Sequence, residues 1–507
     1  MSISRTRWAR LGVALALGLT GAAVALPAGA DEPAGEDAAE AHPVFGRAPQ
    51  VSRLRNGLTV VSVPWNTPGI VAYYTLVRVG SRDEVERGHS GFAHLFEHMM
   101  FRGTERFPAD VYEETIQSFG ADNNAYTTRD FTLYTVTAPS SVLEELVDVE
   151  ADRFQRLQYD EAAFRTETGA VQGEYAKNAS NPFLPMWEAV SELAFERHTY
   201  GHTTMGYLRD ICAMPGMFDY SRRFFRRYYT PDNTTLIVVG DVEHDELLRL
   251  ARAKYGRWRG RRDRPRIPAE PALEGPKHRH IPWDGASPPR FFVAWRSPAF
   301  DGGHARGPRR EAALKETAAL EIVKGLAFAE SAPLYQRLVV RDQTLLQLGA
   351  WENDFHRDPS LFMVTGVLKP AEGAPAFEAT VQAIQEELGR IAAGEAADRI
   401  DAVRSHLRYR LLTGLETPDD VADLLGGFIA AGGSVDALDE YLAALASVTP
   451  DEVAAAARRV LTPERRVLVT LAPRTEADGP APEAGPPCPE PEGADADEDA
   501  DEEGGAR

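Results

Sequence analysis

The feature that most constrains the fold of this chain is an internal repeat. The stretch Arg226 to Pro231 reads Arg-Arg-Tyr-Tyr-Thr-Pro and precedes the apolar run Leu236 to Val239. The stretch Arg458 to Pro463, 232 residues further along, reads Arg-Arg-Val-Leu-Thr-Pro and precedes Val467 to Thr470. In both places a basic helix end leads through Thr-Pro into a strand, and this shared order favours a duplicated fold.

Each half is expected to mix strands and helices. Val51 to Pro64 alternates around Asn56-Gly57, which predicts a hairpin, and Val71 to Val79 predicts a further strand. Helix-type patterns interleave with these strands, which predicts an α+β fold of α/β type. A stretch rich in Arg and Pro near residues 261–276 marks the boundary, so the predicted domains cover residues 51–265 and 276–473.

The stretch from Gly91 to Met100 predicts a helix with metal-binding chemistry. Its apolar residues recur at helical spacing, and His94 and His98 are four apart, so both imidazoles leave one face. His-x-x-Glu-His is the inverted form of the zinc-protease signature, and the second half of the chain has no copy of it. Two imidazoles suit Zn²⁺, and Glu97, beside that face, can act as a general base. A solvated helix face is the alternative, but the flanking Phe, Leu and Met place the motif near a core.

A third metal ligand is expected on a helix further along the chain. Asp160 is a plausible N-cap, and the helical pattern that follows contains Glu167 and Glu174. These two glutamates are seven residues apart, or two turns, so they share a face with the apolar Val171. The alternative is a surface helix with ordinary acidic residues.

Taken together, these stretches resemble the M16 metallopeptidases, which include pitrilysin, insulin-degrading enzyme and the mitochondrial processing peptidases. His98 is followed by Met-Met-Phe-Arg-Gly-Thr, and Glu174 follows it by 76 residues, as in that family. Glu167 matches a second family glutamate, and Gly120 to Thr127 resembles the strand whose edge binds the substrate backbone. The similarity extends from about Val51 to Pro473.

The resemblance implies a fold, a cofactor and a set of site residues. It implies two related α/β halves that enclose a substrate chamber, with one Zn²⁺ per chain. The implied residues are the zinc ligands His94, His98 and Glu174, the general base Glu97, the supporting Glu167, and the substrate-strand residues Asn124 and Ala125.

The function that these residues predict is zinc-dependent endopeptidase activity on peptides or unfolded polypeptides. Two alternatives stay open. The chain can be a non-catalytic, peptide-binding or scaffold subunit of the same fold, or a zinc hydrolase of a non-peptide amide.

The resemblance also indicates a partner. Many active family members supply an Arg and a Tyr from their second half, in a stretch like Leu-Arg-Glu-x-x-Gly-Leu-x-Tyr. The corresponding stretch here places Val339 and Leu346 at those positions, which implies a second M16-like subunit that supplies the pair. In the alternative alignment a nearby side chain serves instead: Tyr335, Arg337 or Arg341.

The N-terminus predicts a signal peptide over residues 1–30. Three arginines precede the apolar stretch Leu11 to Leu26, and Ala28-Gly29-Ala30 offers a cleavage site before Asp31. The protein is therefore predicted to be periplasmic or secreted, with a flexible segment over residues 31–50 and no membrane span after cleavage. An uncleaved membrane anchor is the alternative.

Charge and cysteine content narrow the classes of partner and of fold. The formal net charge is −21, which argues against nucleic acids and anionic membrane surfaces as partners. Residues 474–507 predict a disordered acidic tail, almost wholly acidic from Asp495 to Glu503, with a cation-binding or partner-binding arm as the alternative. Cys212 and Cys488 are too few for a disulfide scaffold, and the sequence leaves open whether they pair.

Overall fold

The computed structural model describes residues 41–303, 305–351, 355–371, 373–479 and Cys488. The predicted signal peptide and its cleavage site lie outside the described residues, as does nearly all of the predicted acidic tail. From His42 onward the described residues form one compact unit.

The first half of the chain contains eight strands and eight α-helices among the described residues. The strands are β1 (Ala41–His42), β2 (Gly46–Arg47), β3 (Gln50–Arg53), β4 (Thr59–Pro64), β5 (Ile70–Val77), β6 (Asp122–Thr127), β7 (Thr132–Pro139) and β8 (Thr234–Gly240). The helices are α1 (Phe92–Met99), α2 (Ala109–Ser118), α3 (Leu143–Arg156), α4 (Glu161–Ala179), α5 (Phe183–Ala194), α6 (Leu208–Ala213), α7 (Phe218–Tyr228) and α8 (His244–Tyr255).

The second half follows after a linker, from residue 256 to 276, in which neither strands nor α-helices are described. Its strands are β9 (Lys277–Trp283), β10 (Arg290–Ser297), β11 (Leu345–Ala350), β12 (Ser360–Leu368) and β13 (Val467–Pro473). Its helices are α9 (Pro308–Phe328), α10 (Pro333–Tyr335), α11 (Phe377–Ala392), α12 (Ile400–Thr413), α13 (Pro418–Gly432), α14 (Ala437–Ser447) and α15 (Pro450–Val460), with a π-helical turn over Gln336–Arg341.

Five strands of the first sheet and the five strands of the second share one topology, which confirms the predicted duplication and the mixed α/β fold; β3 is an additional edge strand of the first sheet. The first sheet has the order β3-β4-β8-β5-β7-β6, and the second has the order β11-β12-β10-β13-β9. In each half the last strand pairs in parallel with the first core strand and antiparallel with the second. The strands that follow the two Thr-Pro sequences, β8 and β13, therefore occupy equivalent places, and β6 and β11 form equivalent edges.

Each half also packs a helix on the sheet of the other half. Met186 and Val190 of α5 are buried together with Phe292 on the second sheet. In return, Leu425 of α13 is buried with Leu133 on the first sheet. This exchange buries apolar surface from both halves in shared cores, so neither sheet keeps its packing without the other half.

The described part of the predicted flexible N-terminal segment differs from that prediction. Phe45 is buried, its ring stacks on that of His42, and the His42 ring lies 3.0 Å from an oxygen of Asp439. These contacts with the second half order residues that sequence composition alone assigned to a flexible segment.

Cys212 and Cys488 form a disulfide, with their Cα atoms 5.0 Å apart. The two cysteines, whose pairing the sequence left open, are therefore paired. The bond joins α6 to the segment that follows the last strand.

Among the described residues no single helix is long and apolar enough to cross a membrane. Only α13 and α14 taken together, which meet at a bend of 85°, have the length and composition for it.

A buried polar network joins the two halves beside these cores. Asp130 accepts hydrogen bonds from the Tyr200 hydroxyl at 2.7 Å and from the Arg357 amide at 3.0 Å. Asp358 lies 3.0 Å from the His198 ring and 2.5 Å from the Arg82 guanidinium. Because removing one partner leaves a charge buried and unpaired, each carboxylate is expected to matter for stability.

We expect Asp358→Asn to destabilise the fold in a pH-dependent way. Burial alone would raise the pKa of Asp358, but hydrogen bonds from His198 and Arg82 outweigh it and lower the pKa to about 2. Its contribution, about 2 kcal/mol from the shift below the unfolded value near 3.9, is present above pH 4 and is lost as the pH falls toward 2. Urea unfolding of both proteins should therefore show a large difference at pH 7 and a smaller one at pH 3.

Asp401→Asn is the matched control, because the Asp401 carboxylate is 90% exposed and pairs with Arg404 at the surface. Its effect should stay below about 1 kcal/mol. An Asp358→Asn penalty that is equal at the two pH values would contradict the assigned role of the charge.

Candidate metal centre

Helix α1 is held at its N-terminus by a carboxylate. Glu84 accepts hydrogen bonds from the Gly91 amide at 2.8 Å and from the Ala93 amide at 2.7 Å. Gly91 has φ of +89°, and a Cβ there would lie 2.8 Å from the Met205 carbonyl oxygen, so glycine is required. Sequence reasoning missed Glu84, because it lies seven residues before Gly91, outside the spacing of a capping box.

The apolar side of α1 faces the core of the first half. Phe92, Leu95 and Met99 are fully buried there, as the flanking residues predicted. His94 is also buried, whereas Glu97 and His98 are partly exposed. The motif therefore lies at the border between a packed core and solvent-accessible space.

Helix α4 supplies the carboxylates opposite α1. Asp160 caps it as predicted, since its side chain accepts a hydrogen bond from the Ala163 amide at 2.8 Å. Phe164 and Val171 are fully buried on its inner side. Two turns separate Glu167 from Glu174, so this packing brings both to the face that meets α1.

The predicted ligand atoms come together in space. The nearest Glu174 oxygen lies 3.5 Å from His94 Nε2 and 3.6 Å from His98 Nε2. One ligand atom from each of the three residues lies within 4.8 Å of the others. Ligands about 2.1 Å from a tetrahedral zinc ion are separated by about 3.4 Å, so both the donor types and their spacing fit Zn²⁺.

Glu167 lies behind one of these imidazoles. Its carboxylate is 3.2 Å from His98 Nδ1, the ring nitrogen opposite the Glu174 contact, and it forms an ion pair with Arg102. A carboxylate in this position sets the tautomer and orientation of a ligating histidine. Arg102 was not singled out from the sequence, although it lies in the Met-Met-Phe-Arg stretch after the motif.

The charges around the two imidazoles differ. Burial and the nearby His98 lower the pKa of His94 to about 4, so it is neutral at neutral pH. Burial would also lower the pKa of His98, but Glu167 and Glu174 outweigh it and raise the pKa to about 10. Glu167 and Glu174 thus favour a positive charge on the His98 ring. A divalent cation bound beside the ring would satisfy the same carboxylates.

Glu97 is outside the ligand cluster and contacts the end of β6. Its carboxylate lies close to the hydroxyl and backbone amide of Thr127, which lower its pKa, but burial outweighs them and raises the Glu97 pKa to about 7. A carboxyl group with a pKa near neutrality is suited to proton transfer. Thr127 was not predicted to matter, since nothing in its local sequence indicates this contact.

Asn124 and Ala125 lie on β6, the edge strand of the first sheet. They pair with Thr135 and Tyr134 of β7. Within the described residues no strand pairs with the other side of β6. The same strand therefore presents a free backbone edge and ends at Thr127, beside Glu97.

Val339 and Leu346 lie at the equivalent edge of the second sheet. Val339 is in the π-helical turn and packs, half-buried, on a hydrophobic core. Leu346 is 50% exposed at an irregularity of β11, where the register shifts between Leu345 and Gln347. Neither side chain has a hydrogen-bond donor.

Comparison with known proteins agrees with this geometry. The family model for insulinase, peptidase family M16, matches residues 61–207, and that for the peptidase M16 inactive domain matches residues 218–407. The chain belongs to the M16 peptidase family. This membership confirms the resemblance noted from the sequence motifs.

Similar proteins are named as proteases. The chain is 26% identical over 396 residues to the zinc protease PqqE of Helicobacter pylori, covering 76% of this chain and 84% of that protein. It is 31% identical over 213 residues to the mitochondrial-processing peptidase subunit beta of Bos taurus, covering 41% of each. The crystal structure of a protease from Helicobacter pylori superposes with a TM-score of 0.75 at 25% identity, covering 84% of this chain and all of that one.

We expect zinc content to follow the geometry of the cluster. His94→Ala, His98→Ala and Glu174→Ala should each lower the zinc bound per chain, because each removes a donor atom. Glu167→Ala should weaken zinc affinity by about 10-fold to 100-fold, because it removes only support for His98. Metal analysis after dialysis, with circular dichroism to verify folding, measures this.

Glu161→Gln is the control, since Glu161 begins the same helix but is exposed and pairs with Arg165. Its zinc content should match that of the wild type. If Glu174→Ala kept its zinc and Glu167→Ala lost it, the two roles would be exchanged.

Proposed function

We propose that this chain is an exported, zinc-dependent endopeptidase that hydrolyses peptides or unfolded polypeptides. The observation that carries the proposal is the cluster of His94, His98 and Glu174, with Glu97 beside it but outside it. Three protein ligands with a separate carboxylate are the arrangement of a catalytic zinc site, whereas structural zinc sites are closed by a fourth protein ligand.

His94, His98 and Glu174 would hold one zinc ion. Such an ion would supply Lewis acidity toward a substrate carbonyl and acidify a water molecule. Glu167 and Arg102 keep the His98 ring turned with Nε2 toward Glu174, through the contact at Nδ1. These residues thus position the ligands before substrate arrives.

Glu97 acts as the general base and then as the general acid. It accepts a proton from the attacking water and delivers it to the nitrogen of the leaving amine, so its own charge is restored. The hydroxyl and amide of Thr127 lie close to this carboxylate and favour its charged form. General acid–base catalysis of this kind contributes about 10² to 10⁴ to the rate.

The substrate backbone adds to β6 as a further strand. Main-chain hydrogen bonds along Asn124 and Ala125 would place a scissile peptide near Glu97, because β6 ends at Thr127. Binding through the backbone tolerates many side chains, so sequence specificity should be loose. The substrate would occupy a chamber between the halves, whose equivalent edges are β6 and β11.

The two alternatives are less well supported. A non-catalytic, peptide-binding or scaffold subunit has no need of three donor atoms at zinc spacing beside a separate carboxylate. A zinc hydrolase of a non-peptide amide would make no use of a free strand edge beside the site. Export to the periplasm or outside the cell rests on the predicted cleavage after Ala30.

Glu97→Gln should abolish most of the peptidase activity and keep the zinc. The amide removes the base and leaves all three ligands, so we expect a fall in kcat of about 10² to 10⁴. Hydrolysis of an unstructured peptide and metal analysis of the same sample measure both quantities. Glu113→Gln, on the exposed side of α2, should leave them unchanged. Zinc loss in Glu97→Gln would move this residue into the ligand set.

A second M16-like subunit completes the site. Hydrolysis builds negative charge on the carbonyl oxygen, and a hydrogen-bond donor aimed at that oxygen is usually a large contribution to the rate. Val339 and Leu346 stand where related enzymes place an Arg and a Tyr, and neither can donate. The related subunit would contribute the missing pair.

The isolated chain should therefore bind zinc but cleave peptides slowly. Co-expression with a related subunit should raise the rate, and so should the double substitution Val339→Arg with Leu346→Tyr, because it restores the donors within one chain. Val340→Arg, at a neighbouring position that is also 50% exposed, controls for added charge. Full turnover by a chain free of any partner, unchanged by adding one, would rule out this requirement.

A further inference from the structure

A cleft lined by arginines lies between α7 and the linker that joins the two halves. Its volume is about 390 Å³. Five of its lining residues are basic and one is acidic: Arg223, Arg226, Arg227, Arg261, Arg262 and Asp263. This concentration of positive charge, called here the arginine cleft, stands out in a chain of formal net charge −21.

The arginine cleft is poorly neutralised by its own surroundings. Arg227 pairs with Glu86 and lies 3.6 Å from Asp263. The Nε atom of Arg262 is buried without a hydrogen-bond partner. For the other three arginines, which are exposed, no ion pair is found among the described residues: Arg223, Arg226 and Arg261.

Such a cleft favours an anionic occupant. A guanidinium stays protonated in proteins, so these side chains cannot relieve their repulsion by losing protons. Charges closer than the Debye length, about 8 Å at physiological ionic strength, are only partly screened. Several carboxylates or phosphates in the cleft would remove this repulsion and form charge-assisted hydrogen bonds.

The disulfide tethers the start of a strongly acidic sequence to α6, the helix before α7. Cys488 is bonded to Cys212 on α6, and α7, with three of the cleft arginines, begins six residues after Cys212. Seven of the nine residues from Asp495 to Glu503 are acidic, and the first basic residue after Cys488 is Arg507. The seven residues from Cys488 to Asp495 can span up to about 23 Å. A helical chain rises about 1.5 Å per residue, so the 14 residues from Cys212 to Arg226 cover about 21 Å or less. The two lengths are therefore similar.

We propose that the acidic segment Asp495 to Glu503 binds in the arginine cleft, with its carboxylates paired to Arg223, Arg226 and Arg261. A tethered anion has a high effective concentration at its site, on the order of millimolar for a short linker. A free polyanion has no such advantage and is repelled by the net negative charge of the chain. The tether and the charge pattern therefore favour this segment over a soluble phosphate compound or an anionic lipid.

The docked segment would brace the first half against the linker. The inner side of α7 packs on the motif helix, where the Phe224 ring lies 5.2 Å from that of Phe96. On the linker side, the Arg262 amide donates to Asp232 at 2.8 Å, and the Asp263 amide donates to the Arg227 carbonyl. An anion that spans α7 and the linker therefore stabilises this contact, and the expected effect is on stability rather than on zinc binding.

Zero-length cross-linking of the full mature chain tests the contact directly. Lysines at the three exposed cleft positions (Arg223→Lys, Arg226→Lys, Arg261→Lys) keep the charge and can be coupled to carboxylates by a carbodiimide. The control carries the same change at exposed arginines that do not line the cleft: Arg222→Lys, Arg252→Lys and Arg408→Lys. Mass spectrometry should find peptides from residues 489–507 joined to the cleft lysines several-fold more often than to the control lysines. High salt, or reduction of the disulfide, should suppress them.

A stability measurement with the native arginines gives an independent answer. Truncation after Cys488 should lower the Tm at low salt, and the loss should disappear in Arg223→Gln, Arg226→Gln, Arg261→Gln, which has no cleft charge for the segment to bind. Equal cross-linking of cleft and control lysines would overturn the proposal. So would an equal effect of truncation in both backgrounds, or binding of inorganic triphosphate that is as tight in the full chain as in the truncated one.

Discussion

The packing of α1 against α4 is the contact on which the metal centre depends. Burial of Phe164 and Val171 on one helix and of Leu95 on the other leaves the polar edges of both helices facing each other. The imidazole nitrogens and the Glu174 carboxylate then meet at the separation that a tetrahedral ion requires. Without the apolar contact the same residues would be three solvated side chains.

The groups around this contact each restrict one degree of freedom. Glu84 holds the N-terminus of α1, Glu167 and Arg102 hold the His98 ring, and Thr127 lies beside Glu97. Thr127 also ends β6, so the strand edge proposed to bind a substrate ends beside the candidate base on α1. Side chains supported in this way lose little conformational freedom when a ligand binds.

The two related halves differ in the groups that they carry. Apart from the extra edge strand β3, both sheets have the same strand order, yet only the first half has the His-x-x-Glu-His helix. The second half contributes α13 to the core of the first, together with His356, a buried partner of Asp130, and Asp358, which pairs with Arg82 and His198 of the first half. Its edge strand β11, the counterpart of β6, has the exposed Leu346 at a register shift.

Local pattern was sufficient for much of this. The motif helix, the Asn56-Gly57 hairpin, the Asp160 cap and the repeated strand after Thr-Pro depend on residues close together in sequence, and the structure has all four. The choice of Glu174 as a ligand needed more, because it came from a family spacing of 76 residues rather than from any local signal.

The sequence by itself determined the residue types at the centre, the helical spacing that puts two histidines on one face, and the repeated Thr-Pro and strand pattern that indicates two related halves. Only the tertiary structure decided which distant groups meet them: Glu84 at the helix start, Arg102 behind Glu167, Thr127 on Glu97, and Cys488 on Cys212. The physical reason is that periodicity and capping act within a few residues of the chain. Contacts between remote side chains depend instead on how buried surfaces pack, and no local pattern records that packing.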